Sequence, residues 1–250
     1  MKTIIAEKPS VAREIARIVK ADRREIGYLT GNGYNVTWAY GHLVQPALPD
    51  GYGIKGFHRD NLPIIPPVFQ LVPRQVRTEK GYKTDNDVVA QIKIIAKLFR
   101  ESERIIVATD AGREGELIFR YIYEYLAEKD KFSTPFDRLW ISSLTDKAIR
   151  EGLANLKPGS DYDNLCAAAK ARSEADWLIG INGTRATTVN AADRSVWSVG
   201  RVQPPTLCMI CGRFLENKNF KSTPYYMMRC GLQKDSIKFN AFNSTKFEKK

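Results

Sequence analysis

The stretch from Ile105 to Glu116 most constrains the fold, because an apolar run ends in an acid and passes directly into a helical pattern. The β-branched run Ile105–Ala108 is typical of a short strand buried in a parallel sheet that is covered on both faces. Asp110 is therefore predicted at the carboxyl end of a strand, where open α/β sheets bind their ligands. The next apolar residues recur at the spacing of an amphipathic helix and are Leu117, Ile118, Tyr121, Ile122 and Tyr125.

The acids after that strand permit two interpretations. Asp110, Glu114 and Glu116 lie close together in the sequence, with Arg113 among them. Carboxylates at such spacing repel one another unless a cation lies between them. Acids in a first helical turn are, however, also stabilised by the helix dipole. Taken alone, the stretch predicts either a cation site or a solvated acidic start of a helix.

The beginning of the chain has the same pattern and favours the cation site. Thr3–Ala6 is another short apolar strand, it is followed by Glu7, and Pro9 suits the first turn of a helix. If the two strands are neighbours in one parallel sheet, Glu7, Asp110 and Glu114 converge on one edge. Carboxylate oxygens are the ligands that a hard cation prefers, so this edge is predicted to bind Mg²⁺. The apolar stripe of the first helix is Val11, Ile15, Ile18 and Val19.

Other segments before residue 157 extend this α/β pattern. Tyr34–Tyr40 alternates after the turn signal Asn32–Gly33, which predicts a hairpin arm. Residues 45–86 are rich in Pro, Gly and charge, which predicts a long surface connection with Leu62–Pro66 held against the core. Further elements are predicted as a helix with the stripe Val88, Ile92, Ile95 and Phe99, a strand at Arg138–Ile141, and a helix capped by Thr145 that runs through Ile149, Leu153 and Leu156.

The second part of the chain has a different pattern. Lys157–Ser160 is the clearest boundary signal, because it combines Pro, Gly and Ser. Beyond it, residues 161–190 are predicted to be helical, and Phe220–Phe242 alternates like the first strands of a β domain. Arg172 and Asp176 are four residues apart on the helix and are expected to pair. An exposed pair of this kind is worth less than about 1 kcal/mol, so it is not by itself evidence of a site.

Charge and apolar content narrow the function classes. The 250 residues carry a net charge of +11, and the part from Arg194 onwards holds eleven Lys and Arg against three acids. Such a basic surplus indicates a polyanionic partner. No apolar run approaches the roughly 20 residues that cross a bilayer, and the beginning of the chain lacks a signal-peptide pattern, which predicts a cytoplasmic protein. No glycine-rich loop ending in Lys-Ser or Lys-Thr is present, which counts against an ATPase.

The cysteines do not form a recognisable metal motif. Cys208 and Cys211 have C-x-x-C spacing, but no second pair follows, and their neighbours are apolar. We expect ordinary buried thiols in a reducing compartment, with zinc or redox use as the alternative.

Two stretches resemble the two halves of a Toprim domain: IIAEKPSVA at residues 4–12 and ATDAGREGELIFRYIY at residues 108–123. More narrowly, the chain resembles type IA DNA topoisomerases of the topoisomerase III kind. The likeness continues, in the order of the family, through Tyr40–Leu43, Leu62–Pro66, Ala175–Asn182 and Ser198–Gln203.

This resemblance implies a fold and a domain order. The fold is α/β, with a Rossmann-like, mostly parallel sheet covered by helices on both faces, followed by a mainly helical DNA-binding region and the first strands of a β domain. The implied domains are a Toprim domain at residues 1–157, a helical DNA-binding segment at 158–218 and the start of a β-rich gate domain at 219–250.

The resemblance also implies roles for the acidic edge. A tyrosine hydroxyl attacks a DNA phosphodiester, a second strand passes through the break, and the bond is resealed without ATP. Glu7, Lys8, Asp110 and Glu114 are then the catalytic residues, Glu7 as the acid for the leaving 3′ oxygen and Lys8 as the group that stabilises phosphoryl charge. Glu7, Asp110 and Glu114 are the expected Mg²⁺ ligands.

A second set of residues is expected to contact single-stranded or negatively supercoiled DNA. In the last motif Gly200 lets the backbone approach a phosphate, which Arg201 can bind bidentately, and Ser198 and Gln203 add neutral hydrogen bonds. The full expected set is His42, Phe57, Arg59, Arg172, Ser173, Asp176, Arg185, Ser198, Val199, Gly200, Arg201, Val202 and Gln203.

Two departures from the family limit these expectations. Gly112 stands where a second aspartate is usual, which should weaken Mg²⁺ binding unless Glu114, Glu116 or water substitutes. No tyrosine lies in the Y-P-R-type setting that carries the nucleophile. We therefore expect a monomeric, bacterial, nucleoid-associated piece of a topoisomerase that binds Mg²⁺ and single strands without cutting them.

Two alternatives remain open at this point. A Toprim nuclease or primase would use Glu7 and Asp110 with water or a nucleotide as the attacking group, and it leaves the Ser198–Gln203 motif unexplained. A pure DNA-binding module would be indifferent to the substitution Glu7→Gln.

Overall fold

A computed structural model describes residues 1–78, 81–191, 193 and 195–248, and the chain divides into two compact units, Met1–Arg201 and Val202–Lys250. The strands are β1 (Lys2–Ala6), β2 (Arg23–Glu25), β3 (Tyr28–Gly31), β4 (Tyr34–Trp38), β5 (Val44–Pro46), β6 (Leu71–Pro73), β7 (Gln75–Thr78), β8 (Gly81–Thr84), β9 (Arg104–Ala108), β10 (Phe136–Arg138), β11 (Lys157–Pro158), β12 (Arg229–Lys234) and β13 (Ile237–Phe242). The α-helices are α1 (Pro9–Val19), α2 (Asn86–Arg100), α3 (Arg113–Asp130), α4 (Asp146–Ala154), α5 (Asp163–Asn190) and α6 (Gln203–Lys218). Short 3₁₀ turns lie at Pro49–Tyr52, Arg59–Asn61 and Gly159–Tyr162.

The first unit is built on a seven-stranded mixed sheet in the order β11-β10-β9-β1-β4-β3-β2. The four middle strands β10, β9, β1 and β4 are parallel, and antiparallel strands flank them. Ala6 at the end of β1 lies opposite both Ala108 of β9 and Trp38 of β4. The prediction that the two apolar strands are parallel neighbours is confirmed, and their carboxyl ends form one edge.

Helices cover both faces of this sheet, as predicted. On one face, Ile15 of α1 and Ile149 of α4 pack against Ile4 and Ile106. On the other face, the stripes of α2 and α3 pack around Phe99 and Phe119, which are fully buried. Burying a side chain of this size stabilises the fold by about 1.5–3 kcal/mol.

Local signals fix where the helices begin. Pro9 occupies the first turn of α1, where its missing N–H removes no hydrogen bond. The side chains of Asp85 and Thr145 accept hydrogen bonds from the amides of Asp87 and Ala148, so both residues cap their helices. The predicted cap at Thr145 is confirmed.

Two predicted element boundaries are wrong. The strand expected at Arg138–Ile141 is β10 and ends at Arg138, where Trp140 turns to stack on the ring of Tyr162. Helix α4 ends at Ala154, before Leu156. At the predicted domain boundary, Lys157–Pro158 forms a short strand paired with β10, and the next residue, Gly159, fits directly against the Phe136 ring.

The connection at residues 45–86 has more order than its composition indicates. In its described part, β5 pairs with β6 and β7 pairs with β8. Its predicted anchor is confirmed, since Ile64 is buried and its backbone exchanges two hydrogen bonds, of 2.6 and 2.9 Å, with the side-chain amide of Asn182 on α5.

The second unit consists of α6 and the antiparallel hairpin β12–β13, with a further bridge between Tyr226 and Phe247. This agrees with the predicted order of helix followed by strands, although the alternating stretch becomes a strand only at Arg229. None of the helices in the described part of the chain is long and apolar enough to cross a membrane. The functional boundaries 1–157, 158–218 and 219–250 stay a prediction.

Candidate functional site

The carboxyl ends of β1 and β9 bring Glu7, Lys8 and Asp110 together, a group we call the acidic edge. The Lys8 Nζ lies 3.6 Å from Glu7 Oε1 and 3.6 Å from Asp110 Oδ2. The Asp110 amide donates a 3.3 Å hydrogen bond to Glu7 Oε2. Asp110 first, and then Glu7, raise the pKa of Lys8 by their negative charge. Lys8 therefore remains an ammonium ion held between two carboxylates.

Glu114, the third predicted ligand, lies in the first turn of α3 and contacts a different partner. Its Oε1 is 2.6 Å from Nε2 of His42, which follows Gly41 on the loop after β4. Gly41 has φ +69°, a conformation that glycine adopts without strain, and this turn directs His42 towards α3. The structure thus joins His42, which was expected to contact DNA, to Glu114.

Within the described residues, no group of three or more His, Cys, Asp and Glu side chains is arranged to hold a metal. The convergence predicted for Glu7, Asp110 and Glu114 is seen for the first two. Those two carboxylates do face one ammonium ion, and Mg²⁺ needs only one or two protein carboxylates because it keeps several waters. The acidic edge therefore fits a hydrated Mg²⁺.

Glu116 does not replace the aspartate that is missing at Gly112. Its side chain is 1% exposed, and it forms ion pairs with Arg120 at 2.8 Å and with Arg138 at 3.1 Å. Both oxygens are therefore directed into the protein. The substitution by Glu116 that the sequence allowed is excluded in this arrangement.

Arg138 is the buried residue that sequence reasoning missed. It is 1% exposed and donates hydrogen bonds to the carbonyl oxygens of Val107, Thr109 and Asp110 at 2.9, 2.8 and 2.7 Å. Burial lowers the pKa of its guanidinium, and the charge of Glu116 opposes that effect. The available signal was an arginine in the apolar run Arg138–Ile141, since an arginine is rarely buried without partners.

A small cavity lies between Glu114 and helix α5. It has a volume of about 130 Å³. Its lining joins Glu114 and Arg113 to residues of α5 that the sequence predicted to contact DNA. The lining residues are His42, Arg113, Glu114, Leu117, Ala169, Arg172, Ser173 and Asp176.

Asp176 pairs mainly with Arg201 rather than with Arg172. The Arg201 Nε and Nη2 lie 2.5 and 3.2 Å from its two oxygens, whereas Arg172 Nε is 3.8 Å away. The hydrogen bond from Arg201 lowers the pKa of Asp176, and the same bond raises the pKa of Arg201. Arg201 thus binds a carboxylate with the bidentate geometry that it would use for a phosphate.

The loop before Arg201 is anchored on α5 through Val199. Thr184 Oγ1 accepts a 2.9 Å hydrogen bond from the Val199 amide and donates one of 3.1 Å to its carbonyl. Gly183 leaves room for the Val199 side chain, which would be 3.0 Å from an added Cβ. Val202 and Gln203, the last predicted contacts, belong to the second unit, where Gln203 begins α6.

Phe57 and Arg185 lie together at a larger cavity of about 660 Å³, which Ser198 also lines. Arg185 is 7% exposed, donates to the Gly56 carbonyl at 2.5 Å and lies 4.9 Å from the centre of the Phe57 ring. Burial lowers the pKa of its guanidinium. Arg59 contacts Asn190 near the end of α5.

The cysteine expectation is only partly right. Cys166 is buried, which raises the pKa of its thiol. Cys208, Cys211 and Cys230 are exposed, so the expectation of buried thiols is wrong for these three. The reason is that neither α6, which carries the first two, nor β12, which carries Cys230, has a buried residue within the described part of the chain.

Comparison with known proteins agrees with this geometry. Residues 2–144 match the family model described as Toprim domain, and residues 160–250 match the model described as DNA topoisomerase. Toprim domains in general bind Mg²⁺, and type IA topoisomerases bind DNA.

Three similar curated proteins are named DNA topoisomerase 3. The Bacillus cereus protein is 51% identical over 225 residues, which are 89% of this chain and 29% of the relative. The Bacillus licheniformis and Bacillus subtilis proteins are 46% and 45% identical over 232 and 231 residues, in each case 92% of this chain and 30% of the relative. The chain thus spans about three tenths of the length of these relatives, in their N-terminal part.

Proposed function

The chain belongs to the Toprim domain family, and from this premise we propose that it forms the N-terminal part of an ATP-independent type IA DNA topoisomerase of the topoisomerase III kind. Such an enzyme breaks, passes and rejoins single DNA strands, which relaxes negative supercoils and decatenates DNA. The observation that carries the proposal is the acidic edge, where Glu7, Lys8 and Asp110 meet at the ends of adjacent parallel strands.

The proposed reaction is a transesterification. A tyrosine oxygen bonds to phosphorus of a DNA phosphodiester while the bond from phosphorus to the 3′ oxygen breaks, and the tyrosine proton leaves to solvent or a base. The leaving 3′ oxygen takes a proton from Glu7, and Lys8 stabilises the charge on the phosphoryl oxygens. The reverse step reseals the strand, so no ATP is needed. None of the eleven tyrosines of this sequence has the setting expected of the nucleophile.

We include Mg²⁺ in this proposal as the cofactor, because the two carboxylates of the acidic edge suit a hydrated Mg²⁺. When bound, it supplies positive charge next to the scissile phosphate. Glu7 and Asp110 would hold it, with Glu114 as the third acid. His42 restrains Glu114 through their 2.6 Å contact.

Single-stranded DNA is the proposed substrate, and two observations support it. The net charge of +11 favours a polyanion. The small cavity places Arg172, Ser173 and Asp176 beside Glu114, so a strand bound along α5 would pass next to the third expected Mg²⁺ ligand. We also propose that the protein works as a monomer at the nucleoid of a bacterial cytoplasm.

The test is a labelled single-stranded oligonucleotide incubated with the chain and Mg²⁺ and run on a denaturing gel, with and without protease. We expect binding that weakens steeply with salt and no cut product. Cut DNA that carries no protein would instead support a Toprim nuclease. A protease-sensitive adduct would show that a tyrosine of this chain attacks DNA, contrary to the proposal. Glu7→Gln is the matched control for any cutting.

A further inference from the structure

A buried ion cluster of Glu116, Arg120 and Arg138 lies directly beneath the turn that carries Asp110. Glu116 and Arg138 are each 1% exposed and are 3.1 Å apart. The second oxygen of Glu116 accepts a 2.8 Å hydrogen bond from Arg120. Charges this deeply buried require several partners, because removing them from water is unfavourable. The cluster therefore lies where it can fix the backbone of the turn that carries Asp110.

The partners of Arg138 are the backbone carbonyls around Asp110. Its guanidinium binds the oxygens of Val107, Thr109 and Asp110, which are the end of β9 and the start of the turn. Its plane also lies 5.1 Å from the centre of the Trp140 ring. Arginine alone among the side chains presents five donors in one fixed plane, whereas lysine has a single ammonium group.

The Asp110 carbonyl is also confined from its other side. A Cβ added to Gly115 would lie 2.2 Å from that oxygen, so only glycine permits the observed approach. Thr109 reinforces the turn, since its hydroxyl donates a 2.7 Å hydrogen bond to the Gly115 carbonyl. The carbonyl is therefore fixed between the Arg138 guanidinium and the first turn of α3.

We infer that Arg138 is a positioning residue, which fixes the backbone of Asp110 and thereby directs its carboxylate towards Glu7 and Lys8. This inference rests on the proposed function, because it concerns how the acidic edge is held ready for Mg²⁺. The residue touches neither the cation nor the DNA. It acts through Asp110.

The cluster also joins this turn to the beginning of α5. Arg120 donates a 2.8 Å hydrogen bond to the Gly159 carbonyl and pairs with Asp163 at 2.8 Å. In parallel, Trp140 stacks on Tyr162, with ring centres 4.8 Å apart. Helix α5 carries Arg172, Ser173 and Asp176 of the small cavity. The cluster thus links the acidic turn, through Arg138, to the helix proposed to contact the strand, through Arg120.

The test compares wild type with Arg138→Lys and Gly115→Ala in the whole 250-residue chain. One readout is the dissociation constant for Mg²⁺ from calorimetric titration. The other is amide hydrogen exchange of Thr109 to Gly112, measured by NMR without metal. The control is Ile95→Val, which shortens a buried side chain on α2 and removes no hydrogen bond of the turn.

We expect both variants to bind Mg²⁺ about tenfold more weakly, the loss typical of groups that orient a metal ligand. The rate of amide hydrogen exchange at Thr109 to Gly112 should rise at least tenfold in both variants. Ile95→Val should change neither the Mg²⁺ affinity nor this exchange rate. Unchanged exchange at the turn in a folded Arg138→Lys protein would overturn the inference. If wild type binds no Mg²⁺, the metal part of the proposed function fails, and exchange alone decides the role of Arg138.

Discussion

Two arginine–carboxylate ion pairs in the first unit have opposite settings. Arg138 and Glu116 are both 1% exposed, whereas Arg201 and Asp176 are 41% and 42% exposed. In the buried pair, the arginine also donates hydrogen bonds to three backbone carbonyls. In the exposed pair, water can replace the partner of either group. The first pair is therefore suited to fixing a backbone, and the second to exchanging its carboxylate for another anion.

This difference matches the chemistry proposed for each region. The acidic edge needs ligands held in place before the cation arrives, because disorder there would weaken binding. The α5 region needs to release and rebind a backbone of repeating phosphates, which an exposed arginine does at small cost. We therefore expect substitutions at the buried pair to have larger effects on stability than substitutions at the exposed pair.

Replacing Arg138 by Leu should destabilise the first unit by about 3–5 kcal/mol, because it removes one of the two ion-pair partners of buried Glu116 and the donor to three backbone carbonyls. Replacing Asp176 by Ala should cost less than about 1 kcal/mol, since Arg201 then returns to water. Urea unfolding of both variants measures the difference. Equal losses would remove the distinction between the buried and the exposed pair.

Asp110→Asn should abolish most Mg²⁺ binding and lower the pKa of Lys8, because Asp110 is the main cause of its elevation. A raised lysine pKa contributes stability at pH values below the unfolded pKa, and that contribution is lost as pH rises through the folded one. Titration of the Lys8 side chain by NMR measures the change, with Glu114→Gln as the control, since Glu114 contacts His42 instead. A Lys8 pKa that is unchanged in Asp110→Asn would contradict the geometry of the acidic edge.

The acidic edge was predictable from sequence because the spacing of apolar residues in a strand and the position of the acid that follows it are local properties of the chain. When two apolar strands that each end in an acid pair in parallel, the two acids lie at the same edge of the sheet. Glu7 and Asp110 do meet there. Glu114 was placed at the same edge, but its contact with His42 depends on a loop bend at Gly41. Sequence spacing carries no information about such a bend.

Arg138 and the Arg201–Asp176 pair were not predictable for a related reason. Arg138 was taken as the first residue of a strand, and nothing local shows that carbonyls of β9 would lie around it. Asp176 was paired with Arg172 from the helical spacing, but Arg201 returns from 25 residues later to make the shorter contact. Long-range packing decides which partner a charged side chain finds.

Replacing Arg201 by Gln should weaken binding of a single-stranded oligonucleotide and make the slope of log K against log salt less negative by about 0.7, the value for one phosphate contact on a single strand. Arg138→Lys, measured in the same way with EDTA present, should leave the slope unchanged because its guanidinium is buried. A slope that is unaffected in Arg201→Gln would mean that Arg201 serves Asp176 alone.

The smallest effect concerns the pH dependence of the exposed pair. Since Arg201 lowers the pKa of Asp176, the pair contributes stability above the ordinary aspartate pKa of about 3.9 and loses it as pH falls through the lowered value. The stability difference between wild type and Asp176→Asn should therefore be small at neutral pH and vanish in acid. Urea midpoints of the two proteins between about pH 7 and pH 2 measure it. A difference that persists in acid would indicate that Asp176 is held by packing, and the exposed pair would then resemble the buried one.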